Sequence, residues 1–157
     1  AKGAKLCVEL RPDQDSSWND HSIGGVSRTT ATYQHNEILL SAAKAKKNIF
    51  TEKGLTFSNE DAQEVAQAIR ESGVKFTISF PHKTWPTLKA AKALVDSGKL
   101  GKITYARVHN YHNGSVAPMP DGSLGWLPPH FYDAAPTGRG ALMDLCPQPM
   151  STLHWCL

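Results

Sequence analysis

The strongest constraint on the fold lies between residues 48 and 80, where a strand, a helix and a second strand follow one another. The helix begins at Ser58, with Asp61 three residues later as a capping pattern, and it ends at Gly73. Val74 to Phe80 alternates apolar and polar residues, as a strand with one apolar face does. Two strands joined by such a helix pair in parallel through a right-handed crossover, so this segment predicts an α/β fold.

The alternation of strands and helices extends toward the N-terminus. Thr29–Thr32 is predicted as a short strand, a helix follows it, and Asn48–Thr51 is the next strand. Lys5–Leu10 alternates as a strand does, whereas Arg11–Gly25 is polar and rich in turn residues and is predicted as a loop. The helix predicted between the strands Thr29–Thr32 and Asn48–Thr51 has one apolar face, formed by Ile38, Leu39, Ala42 and Ala43.

Beyond Phe80 the pattern becomes less regular. Pro81–Pro86 breaks it, an amphipathic helix over Leu88–Val95 ends at Gly98, and Ile103–Tyr111 is predicted as a longer strand. Residues 112–140 hold five prolines and five glycines without periodicity, a length of loop that is usually functional or a domain connection. The segment after Gly140 is apolar, is interrupted by prolines, and ends in a helix-like run to Leu157.

Composition and charge exclude several classes of protein. The chain of 157 residues is 40% apolar and 20% charged, and no apolar run approaches the roughly 18 to 20 residues that span a bilayer. A net charge of +3 is weak for nucleic-acid binding, and the densest basic group, Lys44, Lys46 and Lys47, is interpreted as a solvated helix end. We therefore expect neither a membrane nor a nucleic acid as a partner.

The cysteines and histidines indicate a reducing compartment and no metal site. Three cysteines without a CxxC pair argue against a disulfide framework, so a cytoplasmic protein is expected. Seven histidines are present, but neither His109 with His112 nor Cys146 with His154 and Cys156 has the spacing of a zinc site. The chain also begins with alanine and ends inside an apolar run, which suggests a piece of a longer protein.

Four stretches, in order, resemble the Gfo/Idh/MocA family of NAD(P)-dependent oxidoreductases. They read ATYQHNEILLSAAKAKKNIFTEK, KFTISFPHKTWPTLKAAKALVDSGKLGKITYARVHNYHNG, GWLPPHFYD and TGRGALMDL. The first is similar to the AT-loop and EK(P) strand end, the second to the last Rossmann strand and the crossing helix with its GxLGxI ending. The last two are similar to the substrate-domain loop and the GGGALxDxGxH segment. The resemblance covers roughly residues 29–157.

The resemblance implies a fold and a domain organisation. The fold is α/β, an incomplete Rossmann-like parallel sheet followed by the start of an α+β substrate domain. Residues 1–27 are assigned to a divergent or disordered segment, 28–101 to the C-terminal half of the dinucleotide-binding domain, and 102–157 to the beginning of the substrate and oligomerisation domain. Two domains of about 150 residues each are expected of a full-length member, so this chain is a partial or truncated one. Full-length relatives are expected to form homo-oligomers.

The resemblance also implies site residues, a cofactor and a substrate class. Lys53 of the EK(P) motif is expected near the nicotinamide of NAD or NADP and the hydroxyl of a sugar or polyol, with Glu52 on the cofactor side. Thr32 corresponds to the loop over the cofactor, and His35 to a cofactor-side histidine at a helix start. Asp144, the first acid of the DxGxH segment, is expected to orient the substrate.

Each of these residues has an alternative interpretation in the sequence alone. Lys53 could be a solvated lysine that pairs with Glu52, His35 could be a cap or a packed ring, and Asp144 could cap a turn. The GWLPPHFYD stretch around Trp126 could be a substrate lid or a packed loop between domains.

Two departures from the family pattern bear on activity. The family's DxGxH histidine aligns with Gln148, whose amide can hydrogen-bond but cannot exchange a proton at neutral pH. No GxGxxG is present to cradle a pyrophosphate, so dinucleotide affinity is expected to be poor. The predicted function is hydride transfer between NAD(P) and a sugar or cyclitol hydroxyl, impaired in this chain. The alternative is a non-catalytic remnant or binding homologue.

The family's EKP sequence is EKG here, which is interpreted as a mild change because glycine still permits the turn.

Overall fold

A parallel sheet forms the first part of the chain. The computed structural model describes residues 5–7, 18–28, 32–133 and 140–157. Within them four strands pair in parallel and in chain order. They are β1 (Lys5–Cys7), β2 (Ile23–Arg28), β3 (Asn48–Thr51) and β4 (Phe76–Ile78). The parallel pairing predicted from the strand–helix–strand pattern is confirmed.

Two helices connect these strands and cover the sheet. Helix α1 (His35–Lys44) joins β2 to β3, and α2 (Asn59–Ser72) joins β3 to β4. The two helices contact each other and pack on the sheet, as right-handed crossovers to one side require. The core consists of residues from both strands and helices: Ile23, Val26, Leu39, Ala42, Ala43, Ile49 and Val65. The predicted apolar face of α1 is therefore the buried face.

The ends of α2 are set by local chemistry, as predicted. The Ser58 side chain accepts a hydrogen bond of 3.0 Å from the Asp61 backbone N–H, which satisfies one of the unpaired donors of the first turn. Gly73 adopts a left-handed conformation with φ of +69°, and its N–H donates to the Ile69 carbonyl.

Strand β2 begins at Ile23, inside the segment Arg11–Gly25 that was predicted as a loop, so that prediction is wrong for residues 23–25. Residues 11–17 of that segment lie outside the described residues. Gly25 is instead buried in the strand, where an added Cβ would stand 3.1 Å from the Asn48 carbonyl oxygen. Close approach of β3, not a turn, explains this glycine. The predicted strand over residues 29–32 lies outside the described residues except for Thr32, which opens a 3-10 turn (Thr32–Gln34).

Lys47 is buried, which corrects its interpretation as part of a solvated helix end. Its side chain is 4% exposed, and its ammonium donates to the carbonyls of Asp20 and Ile23 at 2.7 and 3.1 Å. The chain reverses at Lys46, which has φ of +57°, and this directs Lys47 toward the start of β2. Lys44 and Lys46 are exposed. The basic surface is thus smaller than predicted, which further weakens a role in nucleic-acid binding.

The chain forms two compact units, Ala1–Ser79 and Phe80–Leu157. In the second unit, a 3-10 turn (Pro81–Thr84) precedes α3 (Pro86–Asp96), which confirms the predicted helix. Two further helices are α4 (Ala141–Leu145) and α5 (Pro147–Cys156), and α5 contacts both α3 and α4. Pro147 was predicted to interrupt this region, and it is the first residue of α5, where a missing N–H costs nothing. The units divide at a different place from the predicted boundary, and the domain assignment stays a prediction.

The strand predicted over residues 103–111 is wrong. This segment is fully described, is not helical, and pairs with none of the described strands. A strand exists only when a neighbouring strand accepts and donates its backbone hydrogen bonds, so an alternating pattern alone does not make one. Several of its apolar residues are exposed: Ile103, Tyr105, Val108 and Tyr111.

Candidate functional site

Three strand ends meet at one edge of the sheet. Arg28 is in register with Thr51, and Thr51 with Ile78, so β2, β3 and β4 finish side by side. The Ser79 N–H donates to the Thr51 carbonyl at 2.8 Å and extends this alignment by one residue. Loops that follow the carboxyl ends of parallel strands line the crevice in which α/β proteins bind ligands. The segment after β3 is the Glu52–Lys53–Gly54 turn.

The conformation of this turn depends on Gly54. Its φ is +78°, a left-handed value that proline cannot adopt because its ring fixes φ near about −65°. Glycine therefore permits a turn that proline could not form at this position. That the replacement of EKP by EKG is a mild change stays a prediction. Glu52 and Lys53 are both half-buried, and the Lys53 N–H lies 3.4 Å from the Glu52 carboxylate. A Cβ on Gly54 would stand 3.3 Å from the Thr32 hydroxyl, so the two loops approach closely.

The His35 ring connects α1 to the turn. It is 2% exposed, and Nδ1 lies 2.9 Å from the Gly54 carbonyl oxygen and 3.2 Å from that of Leu55. Carbonyl oxygens only accept hydrogen bonds, so Nδ1 carries a proton. Of the alternatives for His35, the packed ring is the one observed, and a direct cofactor contact stays a prediction.

Sequence reasoning missed Thr51, the last residue of β3. Its side chain is completely buried, and its hydroxyl has no hydrogen-bond partner among the described residues. A buried polar atom without a partner is uncommon and needs an explanation. The only signal in the sequence is its position directly before Glu52, at the strand end that the family pattern marks.

Asp144 and Gln148 lie in the second unit, on α4 and α5. Asp144 is half-buried in the first turn of its helix, and its N–H donates to the Gly140 carbonyl at 3.1 Å. Gln148 is 8% exposed, and its side-chain oxygen is buried without a partner among the described residues. The structure thus gathers Thr32 and His35 around the Glu52–Gly54 turn in the first unit, while the other two candidates belong to the second.

The loop around Trp126 is closed by its own hydrogen bonds. The Trp126 N–H donates to the Gly114 carbonyl at 2.8 Å, and the Gly114 N–H donates to Nδ1 of His112 at 3.0 Å. The His112 and Trp126 rings are 5.2 Å apart, and Pro118 and Leu124 form an antiparallel bridge. Half of the Trp126 surface is exposed. This geometry is compatible with both the lid and the packed loop.

The described residues offer neither a metal site nor a membrane span. They contain no group of three or more His, Cys, Asp or Glu side chains that could hold a metal ion. Across the same residues, no helix has the length and apolar character needed to cross a membrane.

Two family models match the chain and together cover nearly all of it. Residues 4–80 match the oxidoreductase family model GFO_IDH_MocA, described as an NAD-binding Rossmann fold. Residues 88–157 match the C-terminal domain model of the same family.

Individual proteins of known name also match the chain. The chain is 34% identical over 86 residues to scyllo-inositol 2-dehydrogenase (NAD(+)) of Bacillus subtilis, a match covering 55% of this chain and 25% of that protein. It is 27% identical over 122 residues to 2,7-anhydro-N-acetylneuraminate hydratase of Mediterraneibacter gnavus, covering 78% of this chain and 32% of that protein. The chain spans about a third of the length of the curated relatives it matches.

A solved structure has the same fold. Levoglucosan dehydrogenase, in complex with NADH and levoglucosan, superposes with a TM-score of 0.81 at 24% sequence identity. The superposition covers 94% of this chain and 38% of that protein. The α/β, Rossmann-like fold class predicted from the sequence is confirmed.

Proposed function

The chain belongs to the Gfo/Idh/MocA family of NAD-binding oxidoreductases. We propose that it forms one side of a site for hydride transfer between NAD(P) and a sugar or cyclitol hydroxyl. This side, called the Lys53 edge, consists of the Glu52–Gly54 turn at the carboxyl ends of the strands. The observation that carries the proposal is the attachment of the Glu52–Gly54 turn to Thr32 and His35 at the carboxyl edge of the parallel sheet. Ligand sites of α/β sheets are built at this edge.

The residues present fit the nicotinamide end of the cofactor. Thr32, Glu52 and Lys53 offer a hydroxyl, a carboxylate and an ammonium, which match the hydroxyls of a ribose and the amide of a nicotinamide. When bound, the cofactor accepts or donates a hydride. In the proposed reaction Lys53 exchanges the proton of the substrate hydroxyl and Glu52 holds the cofactor. That Asp144 orients the substrate stays a prediction.

One observation supports a second candidate function, a binding homologue without turnover. In the sequence resemblance Gln148 aligns with the family's histidine, and Gln148 is nine-tenths buried. A primary amide neither gains nor loses a proton near neutral pH, so this position cannot serve as an acid or base. We propose that turnover by this chain is impaired for this reason.

We also propose a class of binding partner for this protein. Its partner is a small sugar or polyol, and the relatives' names support that class. Homo-oligomerisation and a cytoplasmic location stay predictions.

The Lys53→Met substitution tests the catalytic proposal. Scyllo-inositol and levoglucosan would be supplied with NAD or NADP, and reduced cofactor would be followed by absorbance. We expect the rate to fall by about 100-fold or more, because general acid–base catalysis contributes about 10²- to 10⁴-fold.

Lys75→Met is the matched control, because Lys75 is an exposed lysine at the opposite end of the same strands. Its rate should equal that of the wild type. A rate that survives in Lys53→Met would contradict the role of Lys53. Cofactor binding without turnover in the wild type would favour the binding homologue.

A further inference from the structure

The segment that carries Lys53 is in contact with a buried ring, that of His35. Strand β3 ends at Thr51, and the next residues with regular structure begin at Asn59. Between them the chain needs fixed contacts if Lys53 is to keep one position. The Nδ1 atom of His35 provides contacts to two consecutive carbonyls, those of Gly54 and Leu55.

The location of His35 in the fold explains why its ring can fix the position of the Gly54 and Leu55 carbonyls. His35 is the first residue of α1, a helix packed into the core through Leu39, Ala42 and Ala43. A group that is part of a packed helix moves little, so the carbonyls it binds are fixed relative to the sheet. Thr32, three residues earlier, also lies against Gly54. The turn is therefore fixed by the loop that follows the neighbouring strand.

The hydrogen bonds also set the tautomer of the ring. Both partners of Nδ1 are acceptors, so the proton of the neutral ring must be on Nδ1 rather than on Nε2. Protonation of the ring would keep this donor. The contacts to the Gly54 and Leu55 carbonyls therefore require a hydrogen atom on Nδ1.

We propose that His35 is a positioning residue, which holds Lys53 in place for cofactor and substrate by donating from Nδ1 to the Gly54 and Leu55 carbonyls. The inference rests on the proposed function for the part that concerns ligands, whereas the attachment itself is a property of the free protein.

A pair of substitutions separates the donor from the ring. In His35→Asn the side-chain amide nitrogen is the same number of bonds from Cβ as Nδ1, so the donor is retained. In His35→Gln the amide nitrogen corresponds to Nε2, so the donor is displaced. We expect NADH affinity, measured by fluorescence on the full chain, to stay within about 3-fold in His35→Asn. It should fall by about 10-fold or more in His35→Gln, because displacement of a site by about an ångström has effects of this size.

Hydrogen exchange at the Lys53–Leu55 amides gives a readout that needs no ligand. Exchange should be faster in His35→Gln than in His35→Asn at equal melting temperatures. Equal exchange and equal NADH affinity in the two variants would overturn the positioning role.

A third measurement needs no substitution. Nitrogen-15 NMR of the wild-type histidines should show the neutral ring of His35 protonated at Nδ1. A neutral ring protonated at Nε2 would overturn the inference even if both variants failed to fold. If the wild type binds no NADH, the proposed function fails while the exchange and tautomer results still decide the attachment.

Discussion

The backbone conformation of Gly54 determines how the turn after β3 presents Glu52 and Lys53. Gly54→Pro, which would recreate the EKP sequence of the family, should destabilise the protein by about 1–3 kcal/mol, because φ of +78° is closed to proline. Urea unfolding measures the change. Gly54→Asn is the control, since asparagine tolerates left-handed φ and should lose less stability. A Gly54→Pro protein as stable as the wild type would show that the turn accepts both conformations.

Lys47 gives a second prediction at the scale of one residue. Lys47→Met removes the donor to two carbonyls at a buried position, so we expect a loss of about 1–3 kcal/mol in the free energy of unfolding. Lys46→Met is the matched control one residue away, at an exposed side chain, and should cost no more than about 0.5 kcal/mol. Equal losses in the two variants would contradict the buried role of Lys47.

Among the elements, α2 has termini that can be tested separately. Ser58→Ala removes the N-cap hydrogen bond to Asp61 and should lower the free energy of unfolding by about 1 kcal/mol. Ser72→Ala at the other end is the control, because the Ile69 carbonyl that its hydroxyl contacts also accepts the Gly73 N–H. Thermal unfolding of both variants compares the two ends. A larger loss in Ser72→Ala than in Ser58→Ala would contradict this account of the caps.

Helices were predicted well from the sequence because their signals are local. Ser58, Asp61 and Gly73 mark both ends of α2 within the segment itself, and the apolar spacing of α1 identifies its buried face. Strands depend on distant partners. Gly25 was taken for a turn residue because only β3, which is far away in sequence, explains it. Residues 103–111 alternate correctly, yet no described strand pairs with them.

The candidate site was predicted in part for the same reason. The family pattern led to Thr32, His35, Glu52 and Lys53, and the first two lie against the turn that carries the others. The hydrogen bonds of His35 join residues 19 and 20 positions apart, which no local pattern encodes. The burial of Thr51 and of Lys47 likewise follows only from the packed sheet.

At the scale of the whole molecule, the parallel sheet resembles that of NAD-binding Rossmann folds. The sequence nevertheless lacks GxGxxG. One face of β3 is covered by α1 and α2, whereas Phe50 on the other face is 42% exposed. Because no GxGxxG is present to hold a pyrophosphate, the proposed cofactor site relies on the strand ends around Lys53. Binding is therefore expected to be weak and local.

The most direct test of this account is a titration of the full chain with NADH, followed by nitrogen-15 amide NMR. The account predicts saturable binding with a dissociation constant below about 1 mM, equivalent to about −4 kcal/mol. Amide shifts should be largest at residues 32–35 and 52–55. The absence of shifts up to that concentration, or shifts confined to other parts of the chain, would contradict the assignment of a cofactor site to the Lys53 edge.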